Sequence, residues 1–241
     1  MGRILFALLL VLAAGSAHAA PTEWWLFAAQ LETGDRVLVE LTLTDVGPGE
    51  RNVAAIGNWQ RADGSLVPFS RAKLGGEWTS SAGGRRMDLQ KFVFDRSAQR
   101  AQLRVEKGSL KLALDFALPA GPVATRALAG GKWTQELWTG ASALDASLWQ
   151  RGMTVPVRAK GRIAVSRRLI VGAEAKLAAR RLEAFTLDSA ALYVVEIARA
   201  GAAERWVVAL DASGKPIAQE FASAASADKL GAVSPPPKIS A

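Results

Sequence analysis

The sequence predicts a mostly β protein made of antiparallel strands. Three observations support this prediction: apolar and polar residues alternate with a period of two, the alternating runs are short, and turn-forming residues separate them. Successive side chains of a strand point to opposite faces of its sheet, so this alternation gives a strand one buried and one exposed face. We therefore expect sheets with one face on an apolar core and the other toward solvent.

The clearest elements lie before residue 120. The run from Val37 to Leu43 places an apolar residue at every odd position and stops before the turn residues 47–49. Residues 110–116 alternate more strictly, and residues 101–105 lead into them through the turn 106–108. Two alternating runs joined by a short turn containing glycine are typical of a hairpin, so we predict one here.

The C-terminal half shows a second hairpin and one exception to the β pattern. Residues 206–210 and 217–221 are apolar runs joined by the turn residues 211–216, which predicts paired strands. Residues 173–185 are rich in Ala, Glu, Lys, Leu and Arg, which favour helix. We expect a strand followed by a short helix in that segment.

Composition also divides the chain into segments. Residues 119–132 are rich in Pro, Ala and Gly with almost no charge, which is typical of a boundary, and the last residues lack the large apolar side chains that a core needs. We predict a signal peptide over 1–19, an N-terminal β unit over 20–120, a linker over 121–132, a C-terminal β unit over 133–221 and a disordered tail over 222–241.

The first residues have the pattern of a secretion signal. Arg3 precedes an apolar run over 4–14, and small residues follow, so we expect cleavage after Ala19. The apolar run is too short to cross a bilayer, which takes about 20 residues. With no cysteine in the chain, a lipid-anchored lipoprotein and disulfides are excluded. The sequence therefore predicts a periplasmic or secreted protein.

The missing residue types exclude several mechanisms. The only histidine, His18, lies in the predicted signal peptide, so the mature chain has neither histidine nor cysteine. Ser-His-Asp and Cys-His sites and the usual zinc sites are then impossible. An enzyme built from this chain would transfer protons through carboxylates, Lys, Arg or the single tyrosine, Tyr193. We predict no catalytic residue, no metal site and no cofactor.

The mature chain is basic. Without Arg3 it has 29 basic against 22 acidic residues, a net charge of +7. Arginine pairs at 85–86, 167–168 and 180–181 would suit phosphates. The positive charge could equally form a solvated basic surface or make transient contact with an anionic membrane surface. Export makes a nucleic-acid partner inconsistent with the predicted location.

One segment resembles a known family. Glu23-Trp24-Trp25 is followed by Phe27 two residues on, by Leu31 and, after a glycine turn, by a long apolar strand. This looks like the start of the carotenoid 1,2-hydratase and secreted-hydrolase-like family, specifically over 23–43 and loosely over 110–119 and 161–172. The resemblance implies two consecutive lipocalin-like β-barrel or sandwich units and, in the best-known members, hydration of an isolated double bond on a long apolar polyene.

The resemblance breaks down in the stretch suited to acid catalysis. The family carries a tryptophan and acidic residues after its second matching segment, whereas Lys176 and Ala178 stand at the corresponding positions here. The resemblance therefore implies the fold more strongly than the activity.

Tryptophans and carboxylates are the candidate ligand contacts. Trp24 and Trp25 are adjacent in a predicted strand and must point to opposite faces. Eight tryptophans supply large flat apolar surfaces for a greasy ligand, although each could equally be core packing. Glu40 and Glu196 lie in apolar runs, where they would either be desolvated acids or face solvent. Our candidate ligand-binding residues are Glu23, Trp24, Trp25, Glu40, Trp59 and Trp133, with Glu23 also suited to anchoring an arginine at a barrel rim.

Three functions remain open from the sequence. The first is an exported lipocalin-like protein that binds or carries an apolar ligand, a lipid or isoprenoid, without catalysis. The second is a divergent hydratase-like or hydrolase-like enzyme that uses carboxylates on such a ligand. The third is a structural protein that docks in the cell envelope.

Overall fold

A computed structural model describes residues 22–47, 50–74, 77–80, 86–97, 99–171, 180–186, 191–199, 201–226 and 229. The predicted signal peptide lies outside these residues, as do Lys176 and Ala178. In the described part of the chain no helix is long and apolar enough to span a membrane. The described elements are strands, apart from one 3-10 turn at Ala129–Gly131.

The first sheet contains twelve strands. Its N-terminal strands are β1 (Thr22–Leu31), β2 (Arg36–Gly47), β3 (Glu50–Gln60), β4 (Leu66–Lys73), β5 (Thr79–Ser80) and β6 (Arg86–Asp88). The remaining strands are β7 (Phe92–Arg96), β8 (Arg100–Lys107), β9 (Leu110–Ala117), β10 (Ala124–Leu128), β11 (Trp133–Gln150) and β12 (Val157–Ile170). They follow the order β4-β3-β2-β1-β12-β11-β9-β8-β7-β6-β5, with β10 also paired to β11.

This sheet curls around its own core. Side chains connect strands from its two ends, since Arg71 of β4 donates to Gln90 beside β6 at 2.8 Å and the Lys107 Nζ donates to the Ser70 carbonyl at 2.6 Å. Alternate residues of the strands point inward, and the fully buried side chains include Trp25, Phe27, Phe94, Leu103 and Leu114. The alternation in the sequence thus creates the concave apolar face.

The second sheet is smaller and has its own core. It consists of β13 (Arg180–Thr186), β14 (Ala191–Arg199), β15 (Ala202–Leu210) and β16 (Pro216–Ala224), in that order. Tyr193, Val195 and Trp206 from this sheet form a buried cluster with Trp133 and Leu137 of β11. The outer face of the central strands of the first sheet therefore forms one wall of the second core.

The all-β prediction with two lipocalin-like units is confirmed, as are both hairpins. Residues 101–105 and 110–116 lie in the antiparallel pair β8 and β9, and residues 206–210 and 217–221 lie in β15 and β16. Strand β2 ends at Gly47, at the turn that the sequence indicates.

The two sheets divide at a different place from the predicted linker. Strand β10 lies inside 121–132, β11 pairs with β9, and β12 pairs with β1. Because these long strands complete the first sheet, the change of sheet falls between Ile170 and Arg180. The sheets therefore change after the predicted linker, and the predicted bounds of the units stay a prediction.

Two further segments differ from expectation. Residues 180–186 form β13, so the short helix expected after a strand within 173–185 is wrong for residues 180–185, and residues 173–179 lie outside the described residues. Pairing with β14 and the stacking of Phe185 on Tyr193, with ring centroids 4.7 Å apart, override local helix propensity there. Strand β16 also continues to Ala224, three residues into the predicted tail that begins at 222.

Candidate functional site

The centre of the first sheet carries two polar clusters on opposite faces. Trp24 and Trp25 of β1 pair in register with Arg168 and Arg167 of β12, respectively. Adjacent residues of a strand point to opposite faces, so each tryptophan shares a face with its partner arginine. One arginine therefore lies against the first core and the other against the second.

The Arg167 cluster lies on the face of the first core and consists of Glu23, Trp25, Arg96, Glu136, Trp138 and Arg167. Arg167 donates two hydrogen bonds to Glu136, from Nε at 2.7 Å and from Nη2 at 3.0 Å, and its Nη1 lies 3.5 Å from the Glu23 carboxylate. The indole N–H of Trp25 donates to Glu23 at 2.7 Å, and that of Trp138 donates to Glu136 at 2.8 Å.

Arginines also flank the two rings of this cluster. The guanidinium of Arg167 lies 5.3 Å from the Trp25 centroid and 5.2 Å from that of Trp138, and the Arg96 guanidinium lies at 5.3 and 5.0 Å from the same rings. Such contacts attract a cation to the face of an indole ring. Burial lowers the pKa of Arg167, but hydrogen bonding to Glu136 and the Glu136 and Glu23 charges outweigh burial, so its pKa ends above the ordinary value. The cluster is a charge-compensated cap on the first core.

The Arg168 cluster lies on the opposite face and consists of Trp24, Trp133, Gln135, Ser166, Arg168, Glu183 and Tyr193. The Arg168 guanidinium lies between two indoles, 4.7 Å from the Trp24 centroid and 4.6 Å from that of Trp133. Its Nη2 donates to Glu183 at 2.6 Å, and the side chains of both ion-pair partners are only 3% exposed. Because Glu183 belongs to β13, this buried ion pair connects the two sheets.

Glu183 accepts hydrogen bonds from four side chains. Its Oε1 accepts from Tyr193 at 2.8 Å, from Gln135 at 3.2 Å and from Ser166, and its Oε2 accepts from Arg168. A carboxylate offers about four lone-pair sites. Glu183 is therefore fully engaged as an acceptor inside the protein.

Tyr193 is the neutral donor of this network. Its side chain is completely buried, and its hydroxyl also accepts a hydrogen bond from Gln135 at 2.6 Å. Burial and the negative charge of Glu183 raise the pKa of Tyr193 well above its ordinary value of 10. The phenol therefore keeps its proton at neutral pH.

A narrow cleft lies beside the Arg168 cluster, where the second sheet meets the first. It is lined by Trp24, Trp25, Leu26, Glu40, Ser166, Arg168 and Glu183, and it is too narrow to hold a water molecule. Pockets that enclose a small molecule typically measure 300–1,000 Å³. The cleft is therefore closed, and a ligand can lie only on the surface beside it.

The face of β1, β2 and β3 outside the cleft carries exposed apolar side chains, with Glu40 and Asn58 among them. Leu26, Glu40 and Ile56 form one cross-strand row, and Ala28 and Leu38 lie in the next row. Ile56 is 60% exposed and Leu38 is 43% exposed. We call the open surface around Leu26, Ala28, Leu38, Glu40 and Ile56 the open face.

The structure divides the predicted ligand contacts among three places. Trp24 and Glu40 line the cleft, Trp133 stacks on Arg168 at its inner end, and Glu23 and Trp25 lie on the opposite face in the Arg167 cluster. Trp59 lies apart from both, because its indole N–H donates to Asp35 at 2.8 Å and its ring contacts Arg61 at 4.9 Å. Glu23 contacts an arginine, as the sequence suggested.

Glu196 differs from the solvent-facing interpretation. It is 7% exposed and accepts two hydrogen bonds from Arg205, from Nε at 3.1 Å and from Nη2 at 2.7 Å. Cross-strand register places Arg205 opposite Glu196, which explains how the carboxylate is buried with a partner. Glu40 is half-buried.

Sequence reasoning missed the polar partners of the tryptophans. Arg167 and Arg168 drew attention only as a basic pair, and Tyr193 only as the single tyrosine. Gln135, Glu136 and Glu183 gave no local signal, because their partners come from strands that are distant in sequence. Among the described residues, no group of three or more His, Cys, Asp or Glu side chains could hold a metal ion.

Comparisons with known proteins show a shared fold. No family model and no curated protein sequence matches the chain. Similar solved structures include a Nitrosomonas europaea protein provisionally called AttH (TM-score 0.61, 15% identity, covering 84% of this chain and 68% of that one). CghA with Sch210972 gives a TM-score of 0.59 at 15% identity, covering 83% of this chain and 60% of CghA.

Kievitone hydratase from Nectria haematococca is also similar, with a TM-score of 0.53 at 8% identity, covering 82% of this chain and 63% of that one. The chain thus spans roughly two thirds or less of the length of these proteins. At such identities the likeness concerns the fold alone.

Proposed function

We propose that this protein binds an apolar ligand, such as a lipid or isoprenoid, without transforming it. The ligand lies along the open face, beside the closed cleft at Trp24. The observation that carries the proposal is the exposure of Ile56 and Leu38, at 60% and 43%, next to a cleft lined by Trp24 and Leu26.

The energetics of the open face support this binding mode. Exposed apolar surface that is contiguous on a soluble protein commonly marks an interaction site. Covering a Leu or Ile side chain fully contributes about 1.5–3 kcal/mol. Leu38 and Ile56 are 43% and 60% exposed, so a ligand that covers both would gain roughly half of the full-burial value from each.

The engagement of the buried carboxylates supports binding without catalysis. Protonation of an unactivated double bond needs an acid that can deliver its proton to carbon. Glu183 accepts from four side chains, and Glu136 accepts from both Trp138 and Arg167. These carboxylates are committed to holding arginines and indoles in place.

A hydratase-like enzyme is the second candidate. It is supported by the fold shared with kievitone hydratase and by the position of Glu40 and Glu183 at one cleft. Incubation of the purified protein with acyclic isoprenoids, followed by mass detection of added water, separates the candidates. Turnover that Glu40→Gln or Glu183→Gln abolishes, and that exposed Glu106→Gln leaves intact, would favour the enzyme.

Export is a further part of the proposal. The basic start, apolar run and small residues of 1–19 support cleavage after Ala19. Sequencing the N-terminus of protein from the periplasmic fraction tests this, and a mature chain that began at Met1 would contradict it. Transient contact with an anionic membrane surface stays a prediction from the net charge.

A fluorescent acyl probe tests the binding mode. Leu38→Ser and Ile56→Ser should each weaken probe binding by about fivefold, because covering the exposed half of either side chain contributes about 1 kcal/mol. Val155→Ser is the matched control, since Val155 is 68% exposed but lies in the turn between β11 and β12. Equal affinity in all three variants would refute the open face as the binding surface.

A further inference from the structure

A second concavity lies on the outer surface of β8, β9 and β11, away from both arginine clusters. It measures about 410 Å³, within the range of small-molecule pockets. Its lining consists of Arg104, Val105, Glu106, Lys111, Leu112, Ala113, Ser147, Trp149 and Pro156. We call it the Trp149 groove.

Strand register explains why the groove is there. Trp149, Lys111 and Glu106 form one cross-strand row. The neighbouring row runs from Arg158 through Ser147 and Ala113 to Arg104. Its two central residues are small, so the long side chains around them rise above a shallow floor.

The wall of the groove is held in place by the turn after β11. The indole N–H of Trp149 donates to the Met153 carbonyl at 3.1 Å, and the Arg151 amide donates to the Ser109 carbonyl at 2.7 Å. Gly152 has a φ of 95°, a backbone conformation that favours glycine. A fixed wall lowers the entropic cost of binding.

The charges around the groove favour an anion. Arg104, Lys111 and Arg158 are exposed, and in the part of the chain that the structure describes none of them forms an ion pair. The Lys111 ammonium lies 5.9 Å from the Trp149 centroid, which places positive charge next to a flat apolar ring. Glu106 and Ser147 add hydrogen-bonding groups on the same surface.

We propose that the Trp149 groove binds an acidic sugar, a ring that carries a carboxylate or phosphate group. The apolar face of the sugar ring packs on Trp149, the anionic group lies against Arg104 and Lys111, and sugar hydroxyls donate to Glu106. This site is separate from the open face, so the protein would carry two ligands of different chemistry.

Calorimetric titration of the full-length mature protein with trigalacturonate tests the groove, and neutral galactotriose serves as the matched ligand. Trigalacturonate should bind, and added salt should weaken its binding because salt screens exposed charges. Trp149→Ala and Arg104→Ala should each lower its affinity by about tenfold. Lys132→Ala, an exposed lysine at the far end of β11, should leave its affinity unchanged.

Three results would overturn the proposal. These are no binding of the acidic trisaccharide, equal binding of the neutral one, and loss of binding in Lys132→Ala to the same degree as in Arg104→Ala. Galacturonate 1-phosphate and a lipid-linked acidic glycan in detergent, titrated in parallel, distinguish a soluble source of the acidic sugar from a lipid headgroup. Binding of either form supports the site, because the recognised ring is the same.

Discussion

Trp24 and Trp25 are consecutive residues, yet their rings lie in different cores. Trp25 is fully buried in the first core, and its ring centroid lies 5.3 Å from those of Phe94 and Trp138. Trp24 is half-buried and stacks on Arg168 at the edge of the second core. One strand thus anchors two cores because its side chains alternate between the faces of the sheet.

Replacement of the two tryptophans should have unequal effects on stability. Trp25→Ala should lower the free energy of unfolding by about 3–5 kcal/mol, the usual loss for a large buried aromatic side chain. Trp24→Ala should lose clearly less, because its ring is only half-buried. Urea unfolding followed by circular dichroism measures both losses, and a larger loss for Trp24→Ala would contradict the assignment of faces.

The ion pair between Arg168 and Glu183 should be costly to break. Arg168→Met leaves Glu183 buried without its cation and should lower the free energy of unfolding by about 3–5 kcal/mol. The double variant Arg168→Met/Glu183→Met should recover part of that loss, since no buried charge remains.

Arg86→Met is the matched control for this experiment. Arg86 pairs with Asp95 at 2.7 Å, but its side chain is 48% exposed, so the loss should be much smaller than that for Arg168→Met. Chemical denaturation of all the variants under one set of conditions measures their free energies of unfolding. Similar losses for Arg86→Met and Arg168→Met would argue against a buried pair.

Tyr193 should make stability fall at high pH. Its pKa is raised in the folded protein by burial and by Glu183, so the folded state holds this proton more tightly than the unfolded state does. The contribution is fully present below about pH 10, the pKa of an unfolded tyrosine, and is lost as pH rises from there toward the folded pKa.

Tyr193→Phe is the comparison, because it removes the titrating group and keeps the ring. The stability difference between wild type and Tyr193→Phe should shrink above about pH 10. The chain has one tyrosine, so phenolate absorbance reports this group alone. If the phenol of the folded protein ionised near pH 10, as that of an unfolded tyrosine does, it would not be buried.

A glycine of β12, where that strand pairs with β1, should resist substitution. A Cβ at Gly161 would lie 2.3 Å from the Gln30 carbonyl oxygen and 2.9 Å from the Leu31 Cα, and backbone atoms cannot move aside. Gly161→Ala should therefore destabilise the protein by about 1–3 kcal/mol, as overpacking does. Gly121→Ala is the control, with nothing within 4 Å of the added carbon. Equal midpoints of thermal unfolding would disprove the close approach.

The sequence predicts what depends on neighbours along the chain. Alternation located β2, β8 and β9, and the period of two placed Trp24 and Trp25 on opposite faces. Pairing between distant strands escapes such reasoning, because nothing local to Arg167 identifies Glu136, 31 residues away, as its partner. For the same reason the sequence does not show that β11 and β12 complete a sheet that begins at β1. The change of sheet therefore comes after Ile170 and not within 121–132.

The Arg168 cluster shows this limit at the candidate site. Glu183 lies in a segment whose composition favours helix, yet it reaches Arg168 because β13 pairs with β14 in the second sheet. The cleft beside Trp24 exists only once both sheets are in place. The sequence therefore indicated Trp24 and Glu40 of its lining for ligand contact, as well as Trp25 from the opposite face. It did not indicate Glu183 and Arg168, which form its wall.

Nuclear magnetic resonance with a spin-labelled fatty acid tests the binding proposal most directly. The label broadens the signals of nearby amides, so it locates the ligand without any variant. Binding on the open face predicts the strongest broadening at Leu26, Leu38 and Ile56. Broadening confined to the Trp149 groove or the interior of the first sheet, or none at all, would contradict the account.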